Sequence, residues 1–335
     1  MGDEVTLIGS GPPREGMPYR FLHAGAAVRE RFERFPRLPT LRSETAWEEA
    51  SFVPGLLRRY RPVDYDVTLT CSYPFTNWAL RRPTLGQRPR HVFVTQNGDW
   101  PAFSDQAEYR LFGCDGLVCI NPDYLERNEE RWNCALIPNG VDIARFSPGP
   151  PARERFGLPA GVPLVLMVSA LIPSKNVGTG VEAVAAVPGA HLVVAGDGPL
   201  REEVRRQAEQ LLPGRYHQLR VAPDAMPDLY RSADAFLHLS RDESFGNVYV
   251  EAMACGLPVV AYDLPRTRWI VGNAAFLAPD RGTAELIAAL GRGLAAAGRC
   301  DAAVARAQDF SWRRVAGLYR DFLGQVVERG SAPHL

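Results

Sequence analysis

Two glutamates flank the start of a helix that is predicted in the second half of the chain. The apolar run at 235–240 predicts a strand, Glu243 follows it in a loop, and Glu251 lies within the helix that Gly246 and Asn247 begin. The backbone N–H groups at a helix start have no partner inside the helix, so they can bind an anion. A phosphate there, with attached hydroxyls bound by the carboxylates, would suit a sugar nucleotide. Both glutamates could equally be solvated charges, because acidic residues are common near helix starts.

A lysine and a glycine turn follow the first two strands predicted in this half. Lys175 comes after the strand at 164–169, where its ammonium would be a counter-charge for a diphosphate, although a lysine at a helix start can also be a plain surface residue. Gly196 and Gly198 close the next strand and would let the backbone approach a ligand. This turn lacks the third glycine and the ribose-binding acid of a dinucleotide fingerprint, which disfavours a nicotinamide dehydrogenase.

A polar loop follows the strand predicted at 91–95 in the first half. It contains Gln96, Asn97, Asp99 and Trp100, at the end of a strand, where open α/β sheets bind their ligands. Amides, a carboxylate and an indole together suit a carbohydrate, which has hydroxyls at its rim and C–H faces for stacking. The loop could also be a mere connection between elements.

The composition is that of an ordinary globular protein. The chain has 335 residues, of which 46% are hydrophobic and 23% charged, so two domains are expected. Lys and Arg together number 38, as do Asp and Glu, and this balance disfavours nucleic acid as the main partner. The six cysteines include no Cys-x-x-Cys pair and are typical of buried thiols in a reducing compartment.

Two features bear on localisation. No apolar run reaches the ~20 residues of a membrane-spanning helix, and the chain start does not resemble a signal peptide, so we expect a cytoplasmic protein. The segment from Arg29 to Arg37 mixes arginines with Phe32 and Phe35, which could contact anionic lipid peripherally at the inner membrane face. A solvated helix face explains the same pattern and is the favoured interpretation.

Strands and helices alternate along the whole chain. Strands are predicted at 5–8, 65–70, 91–95, 116–120 and 135–137 in the first half, and at 164–169, 191–195, 219–221 and 235–239 in the second. Such alternation implies parallel sheets that are covered by helices on both faces. We therefore predict an α/β fold with two similar Rossmann-like domains and a ligand in a cleft lined by strand-end loops. A turn-rich stretch at 138–151 predicts domains at 1–148 and 149–310, followed by a last helix at 311–335.

Several motifs of the chain occur together in one known family. They are the segments 228–234, 239–246 and 251–261, together with Lys175, the turn from Gly196 to Pro199, and Ile137-Pro-Asn-Gly-Val-Asp142 with Phe146. In order and approximate spacing they resemble the retaining glycosyltransferases of family 4, from about residue 91 to the last helix. The resemblance implies a GT-B fold, in which two Rossmann-like domains face each other across a cleft. In that fold the second domain holds most of the nucleotide sugar, the first holds the acceptor, and the final helix crosses back to the first domain.

The resemblance also implies roles for individual residues. Glu243 would contact hydroxyls of the donor sugar, Glu251 would bind the nucleotide ribose, and the backbone around Val221 would read the base. The implied catalytic residues are Glu243, Lys175 and Gln96; the implied donor-binding residues are Ser244, Phe245, Gly246, Asn247, Glu251, Gly196, Gly198, Val221 and Asn139; the implied acceptor-side residues are Asn97, Asp99 and Trp100. No metal ligand is implied, and the six histidines show no metal-binding spacing.

The chain departs from the family pattern in three places. Ala170 stands where the family usually has an arginine, so diphosphate binding would depend more heavily on Lys175. Gln96 and Asn97 stand where the family often has a histidine, and either could hold a donor hydroxyl, but neither titrates near neutrality. The start of the chain looks like the family's second strand, so the first domain is expected to lack its opening strand.

The expected function is therefore a retaining, metal-independent glycosyltransferase without a cofactor. It would move a sugar from UDP, GDP or another nucleoside diphosphate to a hydroxyl acceptor, which could be a glycan, a lipid-linked sugar or a small molecule. Ala170, Gln96 and the short N terminus leave open a non-catalytic subunit that binds a nucleotide sugar. A third alternative is an epimerase of GT-B fold that acts on the nucleotide sugar itself.

Overall fold

The computed structural model describes residues 3–13, 15–25, 41, 44–83, 88–106, 109–298 and 300–331. The chain divides into two compact units: Met1–Ile137 with Leu318–Leu335 form the first, and Pro138–Gly317 form the second. The basic segment from Arg29 to Arg37, with its predicted lipid contact, lies outside the described residues.

The first unit contains two parallel sheets with helices between their strands. A two-stranded sheet consists of β1 (Thr6–Gly9) and β2 (Arg20–His23). A four-stranded sheet consists, in spatial order, of β3 (Val67–Thr70), β4 (Arg90–Val94), β5 (Gly116–Cys119) and β6 (Cys134–Leu136). The helices are α1 (Glu44–Arg59), α2 (Phe75–Leu80), α3 (Trp100–Phe103) and α4 (Pro122–Asn128).

The second unit is built on one six-stranded parallel sheet. Its strands are β7 (Leu164–Val168), β8 (His191–Ala195), β9 (Tyr216–Leu219), β10 (Ala235–His238), β11 (Val259–Tyr262) and β12 (Ala275–Ala278). Their spatial order is β12–β11–β10–β7–β8–β9. The helices of this unit are α5 (Val177–Ala185), α6 (Arg201–Leu211), α7 (Met226–Ser232), α8 (Asn247–Ala254), α9 (Pro265–Val271), α10 (Thr283–Ala295) and α11 (Asp301–Gln308). The last helix, α12 (Trp312–Ser331), begins in the second unit and ends in the first.

The order of strands in the second unit determines where its loops meet. The chain proceeds from β7 to β8 and β9 on one side, and it then returns to place β10 on the other side of β7. The direction of winding reverses between β7 and β10, which is where doubly wound sheets bind ligands beyond the carboxyl ends of their strands. The loops after these two strands contain Lys175 and Glu243, respectively. Residues far apart in the sequence are thus brought to one edge of the sheet.

Most predicted strands are present, and one is wrong in position. We expected a strand at 219–221, but β9 ends at Leu219, where it pairs with Ala195, so Val221 lies in the following loop. β9 is an edge strand with the half-buried sequence Tyr-His-Gln-Leu, and therefore no apolar run marks it.

Two further expectations concern burial and membrane contact. The prediction of buried thiols holds for Cys119 and Cys255, whereas the other cysteines are half-buried, because they lie at strand ends and in loops; all six are free. Within the described part of the chain, no helix has both the length and the apolar character that crossing a membrane requires.

Candidate functional site

Glu243 and Lys175 form a half-buried ion pair at the reversal between β7 and β10. The Nζ atom of Lys175 donates to Oε1 of Glu243 and lies 3.3 Å from Oγ of Ser240. The side chains are only 17% and 20% exposed for Lys175 and Glu243, respectively. Lys175 is also the only lysine in the chain, in which Lys and Arg together number 38. The pair joins two residues that the sequence identified separately.

A histidine that the sequence analysis did not select is the second donor to Glu243. Nε2 of His238 lies 2.8 Å from the same oxygen, Oε1. Burial alone would raise the pKa of Glu243, but the hydrogen bonds and charges of His238 and Lys175 outweigh it and lower this pKa to about 2. Glu243 is therefore ionised throughout the physiological pH range. The signal that could have identified His238 is a polar residue within the otherwise apolar strand β10.

Gly246 connects the Glu243 loop to helix α8. Its φ angle is +78°, and a Cβ atom at this position would lie 2.7 Å from the ring of Tyr249. Only glycine fits this conformation and this space. The turn lets α8 begin at Asn247, four residues after Glu243, so the N–H groups of its first turn lie close in sequence to the carboxylate. Asn247 is exposed, and its Oδ1 accepts a hydrogen bond of 3.0 Å from Nδ2 of Asn139.

The side chains next to Gly246 differ in how far they are available to a ligand. Ser244 is half-buried, whereas Phe245 is 2% exposed and packs edge-on against Trp269 and Phe310 at centroid distances of 6.0 and 5.5 Å. The aromatic ring of Phe245 is therefore part of the core. Its predicted contact with the donor can come only from its backbone.

Glu251 is the fifth of the eight residues of α8 and is held by a tyrosine. The hydroxyl of Tyr230, a completely buried residue in α7, donates to Oε2 of Glu251 over 2.8 Å. Burial raises the pKa of Glu251, although the Tyr230 hydrogen bond and the charge of Arg145 oppose the shift. Tyr230 is a second residue that sequence reasoning missed, and its position in a helix gave no sign of this contact.

A cleft of about 310 Å³ lies beyond the ends of β7 and β8. Its lining consists of Val168, Ala195, Gly196, Asp197, Arg220, Val221 and Met226. Val221 and Gly196, two of the predicted donor-binding residues, are thus in one cavity. Two of the lining residues are bonded to each other, because Asp197 accepts a hydrogen bond from Arg220.

The two glycines of the predicted turn are also required by packing. A Cβ atom on Gly196 would lie 1.9 Å from the carbonyl oxygen of Ser169, and one on Gly198 would lie 2.5 Å from that of Leu171. These positions can only be glycine because the loop after β7 lies directly against them. Backbone packing thus explains both glycines, whether or not they also contact a ligand.

Gln96, predicted as catalytic, and the predicted acceptor-side residues follow β4 in the first unit, in the loop and at the first position of α3. Gln96 and Asn97 are exposed, and Trp100 is 46% exposed. Asp99 is only 3% exposed and accepts two hydrogen bonds from Arg127, of 3.0 and 2.9 Å, and one of 3.0 Å from Asn128. Its carboxylate holds the loop against α4. A contact between Asp99 and a ligand would therefore have to compete with these internal partners.

The described residues contain no group of three or more His, Cys, Asp and Glu side chains that could hold a metal ion. The positive charge next to Glu243 is instead the ammonium of Lys175.

Comparison with known proteins shows which family the second half of the chain is similar to. Residues 150–300 match the family described as glycosyl transferases group 1. The D-inositol 3-phosphate glycosyltransferase of Acidothermus cellulolyticus is 33% identical over 218 residues, which cover 57% of this chain and 48% of that protein. The chain spans about half the length of the curated relatives it matches.

Solved structures share the fold over most of the chain. Sucrose-phosphate synthase from Thermosynechococcus elongatus superimposes with a TM-score of 0.73 at 22% identity, covering 97% of this chain and 90% of that one. Anabaena HepE in complex with UDP-glucose superimposes with a TM-score of 0.62 at 20% identity, covering 84% and 82% of the two chains. The predicted α/β fold of GT-B type is thereby confirmed. Residues 150–300, a little under half of the chain, are thus similar to the group 1 glycosyl transferases, and the fold is the one that these solved glycosyltransferase structures share.

Proposed function

We propose that the protein is a retaining glycosyltransferase that moves a sugar from a nucleoside-diphosphate donor to a hydroxyl group of an acceptor. The observation that carries this proposal is the contact between Lys175 and Glu243 beside the start of α8. An ammonium and helix N–H groups suit a diphosphate, and a carboxylate suits the hydroxyls of a sugar. The complex of Anabaena HepE with UDP-glucose supports a nucleotide sugar as the donor class.

Each part of the donor has a proposed partner in the second unit. The base lies in the cleft against the backbone of Val221, and the ribose hydroxyls donate to Glu251. Because Tyr230 occupies Oε2 of Glu251, the oxygen proposed for the ribose is Oε1. The diphosphate binds Lys175 and the backbone amides from Ser244 to Asn247, where Asn139 fixes the side chain of Asn247.

The proposed reaction uses these groups to stabilise the leaving diphosphate. The bond between the anomeric carbon and the phosphate oxygen breaks, and negative charge builds on that oxygen. Lys175 and the α8 N–H groups stabilise this charge, while the sugar passes through an oxocarbenium-like state. The acceptor oxygen then bonds to the anomeric carbon on the same face, and its proton passes to the leaving phosphate oxygen. Configuration is retained, and neither a side-chain base nor a metal ion is invoked.

The loop after β4 is proposed to act on the sugar and the acceptor. Gln96 and Asn97 offer exposed amides for hydroxyls, and the exposed indole of Trp100 offers a face for a sugar ring. Asp99 acts indirectly, because its bonds to Arg127 and Asn128 fix the loop. The acceptor class remains a hydroxyl compound: a glycan, a lipid-linked sugar or a small molecule.

A donor panel tests the proposal. The protein is incubated with UDP-glucose, GDP-mannose and ADP-glucose, each with hydroxyl acceptors of the three classes and with and without EDTA. We expect release of one nucleoside diphosphate that depends on acceptor and resists EDTA, and a product whose anomeric configuration, measured by NMR, matches the donor. Donor binding without release under every condition would instead indicate a non-catalytic subunit. Entry of solvent deuterium into the sugar ring would indicate an epimerase.

A further inference from the structure

The single lysine of the chain is bound to a carboxylate that competes with its proposed ligand. Lys175 donates to Oε1 of Glu243, and its Nζ lies 3.3 Å from Oγ of Ser240. Under the proposed function, on which this inference depends, the same ammonium binds the diphosphate. A diphosphate carries more negative charge than a carboxylate and therefore draws the ammonium away from Glu243.

Loss of the contact with Lys175 would raise the free energy of the ionised Glu243 carboxylate if Glu243 had no other partner. The carboxylate is only 20% exposed. Removing one member of a buried ion pair leaves an uncompensated charge, which is strongly unfavourable. Donor binding would then have to overcome this cost, and the orientation of the carboxylate toward the sugar would be lost.

His238 is in place to prevent this loss. Its Nε2 lies 2.8 Å from the same oxygen that Lys175 contacts, and because a carboxylate only accepts, Nε2 carries the proton. The ring is 2% exposed; it is stacked on Phe236 at a centroid distance of 5.9 Å and meets the edge of Tyr249 at 4.9 Å. Unlike the lysine side chain, it has no room to move.

The other ring nitrogen shows that packing does not explain this histidine. Nδ1 is buried and has no hydrogen-bond partner among the described residues. A buried polar atom without a partner lowers stability, and a phenylalanine of similar shape would avoid that cost. The advantage of histidine at this position is therefore its bond to Glu243.

We propose that His238 is a positioning residue that holds Glu243 in place while Lys175 shifts from this carboxylate to the diphosphate of the donor. The shift is a movement of the lysine side chain alone. Glu243 keeps one charge-assisted hydrogen bond throughout and stays directed at the sugar. His238 itself touches neither the donor nor the acceptor.

Two variants separate this role from a structural one. His238→Phe keeps the ring and removes the donor, whereas His238→Gln keeps an N–H donor near the position of Nε2. We expect the unfolding temperature of His238→Phe to differ little from that of the native protein, because loss of the hydrogen bond to Glu243 and removal of the unpartnered Nδ1 act in opposite directions while Lys175 still pairs with Glu243. Its affinity for a nucleoside diphosphate should fall about 10-fold or more, the value of one charge-assisted hydrogen bond, and His238→Gln should recover most of it. His191→Phe, at the start of β8, is the matched control and should bind normally.

The movement of the lysine can be observed directly. Because Lys175 is the only lysine, incorporation of lysine labelled with ¹³C at Cε gives one side-chain resonance for the whole chain. UDP, GDP and ADP are titrated against the corresponding monophosphates. We expect the diphosphate that binds to shift this resonance, the monophosphate to shift it much less, and His238→Phe to weaken binding of the diphosphate selectively.

The outcomes distinguish the inference from the proposed function. If the native protein binds no nucleoside diphosphate, the proposed function is wrong. If it binds one, and His238→Phe binds it equally well, the role of His238 is wrong although the function stands. An equal loss of diphosphate and monophosphate binding, or a lower unfolding temperature that accounts for the loss, would also contradict the inference.

Discussion

At the scale of single residues, the two glutamates at and before α8 have pKa values that are shifted in opposite directions. Glu243 has two donors on one oxygen, so its pKa falls from 4.5 to about 2 despite burial. For Glu251 burial is the largest effect and its pKa is raised, because one neutral hydroxyl and the charge of Arg145 do not compensate for lost solvation. The ionised form of Glu243 therefore stabilises the fold, and the ionised form of Glu251 destabilises it.

The first prediction follows from these opposite signs. Glu243→Gln should lower the free energy of unfolding at about pH 7, by up to roughly 3 kcal/mol, the equivalent of a pKa lowered from 4.5 to about 2. The deficit should shrink as the pH falls through 4.5 toward 2, where native Glu243 is protonated as well. Glu251→Gln should raise the unfolding free energy at about pH 7, and this gain should shrink as the pH falls back through the raised pKa toward 4.5. Urea unfolding across this pH range measures the unfolding free energy of both variants relative to the native protein. If these free-energy differences did not change with pH, the pKa directions given for Glu243 and Glu251 would be wrong.

Lys175 gives a second prediction at the same scale. Because its Nζ fits between Ser240 and Glu243 with little exposure, the larger planar guanidinium of Lys175→Arg should not replace it. We expect kcat/KM for the donor to fall about 100-fold or more, near the loss for Lys175→Met, as when one transition-state donor is removed. Initial rates of nucleoside diphosphate release provide the measurement. The exposed exchange Arg205→Lys in α6 is the control, and native-like rates in Lys175→Arg would show that charge alone suffices.

At the scale of elements, the turn before α8 decides where the donor-binding groups lie. Gly246 adopts a φ of +78°, and any side chain there would meet the ring of Tyr249. The same helix carries Glu251 and begins close to Glu243, so a displaced start would disturb both carboxylates. The geometry of one glycine thus controls the relation between the loop and the helix.

The third prediction compares this glycine with one in an ordinary helix position. Gly246→Ala should lower the unfolding free energy by about 2 kcal/mol, from left-handed strain and the clash with Tyr249, and should weaken donor binding. Gly324→Ala, within α12 and with open space around its Cβ position, should raise it by about 0.5–1 kcal/mol. Denaturant unfolding of the two variants measures this contrast. Equal effects would mean that the turn before α8 tolerates a side chain.

At the scale of the whole molecule, the proposed donor site belongs to one of the two compact units. Lys175, Glu243, Glu251 and the cleft near Val221 all lie between Pro138 and Gly317. The loop from Gln96 to Trp100 belongs to the other unit. The proposed binding of the nucleotide therefore depends on residues of the second unit.

The fourth prediction follows from the location of the proposed donor-binding residues in the second unit. A nucleoside diphosphate at about 100 times its dissociation constant should stabilise the folded second unit by about 2.7 kcal/mol through mass action. Differential scanning calorimetry should show a higher midpoint for the transition that includes this unit. Glu251→Gln should reduce the rise at the same ligand concentration, because a carboxylate partner of the ribose is lost. The site assignment would be wrong if the variant responded as strongly as the native chain.

Much of the fold could be predicted because its signals are local. Buried parallel strands such as β7 and β10 are continuous apolar runs, and glycine or proline marks the turns between elements. β9 was misplaced because an edge strand carries polar residues and lacks such a run. The order of strands, and hence the meeting of the loops after β7 and β10, depends on pairing between distant segments.

The sequence by itself determined the alternating α/β architecture, the resemblance to one glycosyltransferase family, and Lys175, Glu243 and Glu251 as the charged candidates. Only the tertiary structure decided that Lys175 and Glu243 contact each other, that His238 and Tyr230 hold the two glutamates, and that Asp99 is bound to Arg127. The physical reason is that composition and periodicity report how each segment buries its apolar face. The partners of a buried polar group are instead set by how separate elements pack, which a linear pattern does not contain.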